Sequence, residues 1–170
     1  MASELRVDKI IPTTGVPTGG GGGIIQMISG SSNTRLERGS NSNTWYNTYV
    51  YATITPKFST SKILIVGNGD VQTDGNTTGG IKFARNNTAG DGSQTNGTIL
   101  GGTASAGIVN FRASNGENLP ATAIYLDSPG TTSAVKYTVL LSRTGGSNSA
   151  FLPGNNGHNP YVIYLFEVSA

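Results

Sequence analysis

Residues 45–55 read Trp-Tyr-Asn-Thr-Tyr-Val-Tyr-Ala-Thr-Ile-Thr, and this stretch decides the fold class of the chain. Polar and aromatic residues at positions 49, 51 and 53 alternate with the apolar Val50, Ala52 and Ile54. A two-residue period places the two sets of side chains on opposite faces of a β-strand. The stretch therefore predicts a strand with one face turned towards a core.

Similar runs recur from this stretch outward to both ends of the chain. They are rich in Val, Ile, Thr, Tyr and Phe, and they cover residues 24–28, 62–71, 80–85, 107–112, 122–126, 134–142 and 161–168. Turn pairs such as Asn68-Gly69, Asp74-Gly75 and Pro129-Gly130 separate them. Eight or nine short strands over residues 24–170 predict an all-β chain, an antiparallel β-sandwich with a jelly-roll-like arrangement as first choice.

Two details of this pattern carry further expectations. The run from Ile63 to Val66 is apolar at every position, which predicts a strand buried on both faces. The polar segments 86–98 and 145–159 predict two long loops, and long loops on a sandwich are where contacts with partners usually lie.

Composition excludes several classes of protein. The 170 residues suit one domain, and 12% of them are charged, about half the usual share of roughly 25%. Gly, Thr, Ser and Asn take the place of charges, and strong helix formers are scarce, so a helical bundle is excluded. The net charge of +2 without a basic cluster predicts no nucleic-acid partner. No apolar run approaches the length of a membrane span, so no membrane insertion is expected.

The first 23 residues differ from the rest of the chain. Residues 1–18 carry the apolar residues Leu5, Val7, Ile10 and Ile11 between polar ones, and residues 19–23 are five consecutive glycines. Five glycines act as a flexible joint. The segment is interpreted either as a frayed terminus or as an arm whose apolar residues dock on another protein, and the apolar residues favour the arm. The N-terminus lacks the apolar core of a secretory signal.

Residues for catalysis or metal binding are few. The chain has no cysteine and one histidine, His158, and no serine lies in a G-x-S-x-G motif. Asp70 and Asp74 lie close together and faintly resemble a calcium loop, but the ligand spacing is absent and a turn explains them as well. We therefore expect no enzyme activity, no metal and no cofactor.

The densest aromatic cluster in the sequence is formed by Trp45, Tyr46, Tyr49 and Tyr51. Such rings can stack on sugars or nucleobases. They can also pack in a core or against a neighbouring subunit, and this second interpretation is favoured. Host glycan contact and subunit contact both stay open for these residues.

Three segments together resemble the tail-fibre-type structural proteins of tailed bacteriophages, especially those of cyanophages and other marine phages. The first is Ser3 to Pro17 followed by the glycine run, and the second combines Ala52-Thr-Ile-Thr-Pro56 with Ser59-Thr-Ser-Lys-Ile-Leu-Ile65. The third is the C-terminal run Tyr161 to Val168, which resembles the final strand of that family. The resemblance covers most of the chain, and its motifs are structural rather than chemical.

This resemblance implies a non-enzymatic virion protein made in the bacterial cytoplasm. Its N-terminal arm would join the baseplate, tail or capsid, and its sandwich would project outward for host contact or assembly. Such proteins are commonly homotrimers. The chain is short for a tail fibre and shows no shaft repeat, so a short fibre and a capsid decoration or head fibre remain open.

Overall fold

The computed structural model describes residues 23–39, 43–103, 105–113, 116–154 and 159–169. These residues form eleven β-strands and no helix, so no described helix could cross a membrane. The strands are β1 Ile24–Ser32, β2 Leu36–Arg38, β3 Tyr46–Ile54, β4 Lys62–Thr73, β5 Thr78–Arg85, β6 Thr98–Leu100, β7 Val109–Phe111, β8 Asn118–Asp127, β9 Val135–Gly145, β10 Ala150–Leu152 and β11 Tyr161–Val168.

The strands lie in two antiparallel sheets. In sheet A, β4 is central: β8 pairs along one side of it, while β11 and then β10 pair along the other. β1 continues beyond β11, and β2 continues beyond β10. Sheet B has the order β3-β9-β5-β6, with β7 also pairing β5. The predicted β-sandwich is confirmed, with a chain that changes sheet repeatedly as in a jelly roll.

Alternation along the strands builds the core between the two sheets. Inward side chains of β11 are fully buried, and so are those at alternate positions of β4 and β9. The predicted faces of β3 are confirmed from residue 50 onward, because Val50, Ala52 and Ile54 are buried while Tyr51 and Thr53 are exposed, whereas Tyr49 is half-buried and packs against the core. Aliphatic side chains and buried rings, among them Phe83, Tyr137 and Tyr161, fill the core.

Two sequence expectations need correction. The described chain has eleven strands rather than eight or nine, because the short strands β2, β6 and β10 were not predicted, and β10 lies inside the predicted loop 145–159. The run from Ile63 to Val66 is not buried on both faces. Ile63 and Ile65 lie in the core, whereas Leu64 and Val66 point away from it and are half-buried. Both faces of β4 therefore carry apolar side chains in this run, one face towards the core and the other away from it.

The arm 1–18 and the hinge glycines 19–22 lie outside the described residues. Gly23, at the border, is tied to the other end of the chain. Its amide donates to Ser169 Oγ at 3.1 Å, and its carbonyl accepts from the Ser169 amide at 3.1 Å. The chain therefore enters β1 beside the C-terminal end of β11.

Candidate functional site

The outward side of sheet A is apolar. In β11 the residues between the buried ones are Val162, Tyr164, Phe166 and Val168, and all four are half-buried. The rings of Tyr164 and Phe166 stack with centroids 6.4 Å apart. An antiparallel sheet with one solvated face usually carries polar residues on that face. This strand departs from that rule at every outward position.

The strand register continues this surface over four strands. Leu64 lies opposite both Phe166 and Leu126, and Phe166 lies opposite Met27. One row across the sheet is therefore wholly apolar. The next row holds Ile124, Val66, Tyr164 and Ser29. We call these outward residues, together with Ile24 and Val168, the outer apolar face: Ile24, Met27, Leu64, Val66, Ile124, Leu126, Tyr164, Phe166 and Val168.

The most exposed members of this face lie on the two edge strands of sheet A. Ile24 and Met27 on β1 are 65% and 53% exposed, and Ile124 and Leu126 on β8 are 56% and 49% exposed. The outward side chains of the central strands β4 and β11 are half-buried. The face is thus a continuous apolar surface with an open apolar border at each side.

The outward side of sheet B is covered instead by the chain itself. Leu140 and Ala84 are completely buried there, and they form a second apolar cluster with Trp45. The segment 86–97 lies over this side and pairs with the start of β3 through backbone hydrogen bonds, such as Thr95 N to the Trp45 carbonyl at 3.0 Å. Among the described residues, sheet B is therefore covered on both sides and sheet A on one side.

Segment 86–97 is a loop apart from one isolated bridge, as predicted, but many of its polar groups bond one another. The buried Asn87 accepts hydrogen bonds at Oδ1 from Thr95 Oγ1 and from the amides of Ala89 and Asn96, each at 3.3 Å. Asn96 Oδ1 accepts from the Thr88 amide at 3.0 Å. These internal bonds hold the loop as a cover of sheet B.

The structure separates the four predicted aromatic residues. Trp45 is buried, with Lys82 Nζ 4.1 Å from its ring centre. Tyr46 and Tyr49 are half-buried and pack against the main core, and the Arg38 guanidinium lies 3.9 Å from the Tyr46 ring. Tyr51 is 44% exposed. The four rings do not form one stacking platform, since only Tyr51 presents a large exposed surface.

A pocket of about 460 Å³ lies beside Trp45 on the covered side of sheet B. Lys82 reaches into this region and donates a hydrogen bond to the carbonyl of Thr103. Burial lowers the pKa of Lys82. The rest of the lining is mainly amide, hydroxyl and glycine: Asn43, Thr44, Gln94, Thr95, Ile99, Gly101 and Gly102. Such a lining offers several hydrogen-bond donors and acceptors to a polar ligand.

Glu167 is a fully buried carboxylate at the end of β11. Its Oε1 accepts from the Lys57 amide at 2.7 Å, and its Oε2 accepts from Gln26 Nε2 at 2.6 Å. Burial by itself would raise the pKa of Glu167, but these hydrogen bonds and a further one from the Phe58 amide outweigh it and lower that pKa. The carboxylate ties the 55–61 turn and β1 to β11.

A second buried carboxylate, Asp127, joins the two sheets. It lies at the end of β8 in sheet A and accepts from Arg85 Nη1 of sheet B at 2.9 Å. It also accepts from the Tyr137 hydroxyl at 2.7 Å. Burial, and then the hydrogen bond to Asp127, raise the pKa of Tyr137, so its hydroxyl stays protonated and donates. Both carboxylates are engaged in holding the fold together.

The remaining predicted residues are placed as follows. Asp70 lies on β4 and accepts from Asn159 Nδ2 at 2.7 Å, while the Asp74 amide donates to the Ser149 carbonyl at 2.9 Å. Within the described ranges, no group of three His, Asp or Glu side chains could hold a metal. His158 lies outside the described residues. So do the docking residues Leu5, Val7, Ile10 and Ile11.

Sequence reasoning missed the outer apolar face and the Lys82 pocket. The face had a visible signal, because the runs 63–66 and 161–166 are apolar at successive positions rather than alternate ones. The pocket had none, since its lining comes from three segments between residues 43 and 103 that only the fold brings together.

Comparisons with known proteins place the chain in no described family. No protein-family description and no curated protein matches it. The structure of infectious bursal disease virus Gx strain aligns with a TM-score of 0.38 and 12% identity, over 92% of this chain and 40% of that one. The T13 IBDV viral particle aligns with a TM-score of 0.37 and 11% identity, over 93% and 42%. The chain thus spans about two fifths of these neighbours, and values this low do not transfer a function.

Proposed function

We propose that this chain is a non-enzymatic structural protein of a phage virion, a short tail fibre or fibre-like protein. It attaches to the particle through residues 1–18 and projects its sandwich for host contact or assembly. The observation that carries the proposal is the outer apolar face on a chain with only 12% charged residues. Soluble monomers usually carry more charge and smaller apolar patches. A surface of this kind suits a protein that is covered by others in an assembled particle.

The proposed partners are copies of the same chain, in a homotrimer, and other virion proteins of the baseplate, tail or capsid. The proposed location is the virion, after synthesis in the host cytoplasm. The resemblance of residues 3–17 supports the attachment role of the N-terminal segment. Leu5, Val7, Ile10 and Ile11 are the residues we assign to docking, because a solvated tail has no need of four large aliphatic side chains.

Deleting residues 1–22 tests the attachment. This truncation keeps Gly23, whose two hydrogen bonds to Ser169 close the end of β1. We expect the truncated protein to fold normally, by circular dichroism and thermal melting, and to be absent from purified particles. The matched variant replaces Leu5, Val7, Ile10 and Ile11 with serine in the full chain and should also be lost from particles. Normal incorporation of both proteins would contradict the attachment role.

A capsid decoration protein is the second candidate, and the outer apolar face supports it equally, because a cement protein is also covered by neighbours. Copy number separates the two. A few to a few dozen copies in each particle indicate a fibre, and far more indicate decoration. Quantitative mass spectrometry of purified particles measures this number against a major capsid protein.

We assign host contact to the pocket beside Trp45. Its amide and hydroxyl lining suits a host surface glycan better than the separated aromatic rings do. Asn43→Gly is a mild test, since Asn43 has a φ of 67°, which glycine adopts without strain. We expect this variant to lose binding on a host-glycan array, with Tyr51→Phe as the control. Binding that survives Asn43→Gly and is lost with Tyr51→Phe would contradict the assignment, and depolymerisation of the glycan would contradict a non-enzymatic role.

A further inference from the structure

The outer apolar face holds no charged side chain over three successive rows and four strands. The third row is Thr122, Asn68, Val162 and Ser31. The first charged groups on β4 lie beyond these rows, Lys62 at one end and Asp70 at the other. A partner could therefore cover these three rows without burying an unpaired charge, and the exposed Lys62, opposite Val168, would lie at the rim. A strongly charged partner, in contrast, would find no group there to pair with.

The size of the face fits the apolar centre of a protein interface. Four strands spaced about 4.8 Å apart and three rows along them give a projected area on the order of 400 Å². This is about half of the roughly 800 Å² that one partner buries in a standard interface. Polar rows on the same sheet continue beyond Asn68, with Asp70 opposite Pro120 and Gln72 opposite Asn118. An apolar centre with a polar rim is the usual anatomy of such interfaces.

The two borders of the face indicate what covers it. Met27 on β1 and Leu126 on β8 are each about half exposed, and they lie at opposite ends of the same row. A partner that contacted one border alone would leave the other in water, whereas a second copy laid across the face would cover both. In a closed ring of identical copies, each copy uses both borders, one against each neighbour. An unpaired β-strand edge at each border would be covered in the same step.

The geometry points to the outer apolar face as the surface through which copies of this chain associate in a cyclic oligomer. This inference deepens the proposed function by naming the surface that unites the subunits. It can fail separately, because assembly is measured in solution on the isolated protein and attachment is measured in particles. A second copy of this chain covers the face, and its removal should expose the face without unfolding the sandwich.

The test uses the full chain and light scattering coupled to size exclusion over a range of micromolar concentrations. The double variant Ile124→Lys/Leu126→Lys acts at the β8 border, and Met27→Lys acts at the β1 border. The control is Ile99→Lys, a large aliphatic residue on sheet B that is 42% exposed. We expect each border variant to weaken association on the order of a hundredfold or more and the control to keep the wild-type mass.

Circular dichroism and melting temperature show whether each variant still folds. Two borders are tested so that a folding failure in one variant leaves the other decisive. A wild-type chain that is monomeric throughout the concentration range overturns the inference. So do border variants that fold and keep the wild-type mass. A control variant that dissociates as the border variants do also overturns it, because the effect would then not belong to this face.

Discussion

Glu167 shows how one residue can hold a turn and an edge strand in place. Replacing it with glutamine removes the negative charge. Glutamine also has one acceptor oxygen, whereas both carboxylate oxygens of Glu167 accept hydrogen bonds. Hydrogen bonds to a charged group contribute more than neutral ones. We expect Glu167→Gln to lower the free energy of unfolding by about 2 kcal/mol in urea titrations at pH 7. Glu37→Gln is the control, because Glu37 is exposed and its carboxylate accepts from Ser149 Oγ at the surface.

The same residue predicts a pH dependence. The hydrogen bonds described above hold the pKa of folded Glu167 below its ordinary value of 4.5. Its stabilising contribution is therefore complete above that ordinary value and is lost as the pH falls through the folded pKa. Urea titrations between pH 7 and pH 3 should show the wild type and Glu167→Gln converging in stability on the acidic side. A constant difference between them over this range would contradict the role given to the carboxylate.

Tyr137 supports the other buried carboxylate. Tyr137→Phe keeps the ring in the core and removes the hydroxyl that donates to Asp127 at 2.7 Å. The buried Asp127 carboxylate then keeps its ion pair with Arg85 but loses the hydrogen bond from the Tyr137 hydroxyl. We expect a loss of about 1–2 kcal/mol in the free energy of unfolding, measured by urea titration. Tyr51→Phe is the matched control and should change stability little, and equal losses in both variants would contradict this account of Asp127.

The sequence predicted on which face of a strand a side chain lies better than it predicted the hydrogen-bond partners of that side chain. The alternation in residues 161–168 places Glu167 on the same face as Tyr161, Ile163 and Leu165, a position that a carboxylate occupies only when it is paired. Its partners could not be predicted, because Gln26 and Lys57 are more than a hundred residues away in the chain. Four aromatic residues adjacent in sequence suggested one patch, and the irregular pairing of β3 with β9 between Asn47 and Tyr51 helps to explain their different surroundings.

At the scale of elements, β1 depends on a close approach to β3. A side-chain Cβ at Gly30 would overlap the carbonyl oxygen of Tyr51, which belongs to the backbone and cannot turn aside. We expect Gly30→Ala to displace β1 and lower the free energy of unfolding by about 1–3 kcal/mol in urea titrations. Ser31→Ala, at the next and exposed position, is the control. An unchanged stability for Gly30→Ala would show that β1 is not held at this distance from β3.

The long strands were predictable, and of the four three-residue strands in the described chain only β7 was, within the run 107–112. β3, β4, β9 and β11 carry enough residues for their pattern to be read. β2 and β10 are too short to show a period in the sequence. They form because β10 lies between two partners, so that Ala150 and Phe151 pair with β2 on one side and with the end of β4 on the other. The apolar run at 63–66 led to a wrong prediction for Leu64 and Val66, which are half-buried. A sequence pattern alone does not distinguish an apolar face covered by the rest of the chain from an apolar face at the surface.

The two sheets of the sandwich differ in how far the described chain covers their outward sides. Segment 86–97 closes sheet B, and no described segment closes sheet A in the same way. The β-sandwich was predictable from alternation and turn residues. The difference between the sheets was not, because it depends on which sheet the long loop folds over. The low charge of the chain, 12% of its residues, agrees with a body that shares one of its surfaces.

The most direct test is the mass of the unmodified chain in solution, measured by light scattering at micromolar concentration. We predict a closed oligomer, with three times the 17.5 kDa of one chain as the expected mass. Its mass should stay constant on dilution until the copies separate together, because a ring with both borders covered has no free end. A single species of 17.5 kDa at every concentration would contradict this prediction, since no second copy would then cover the outer apolar face.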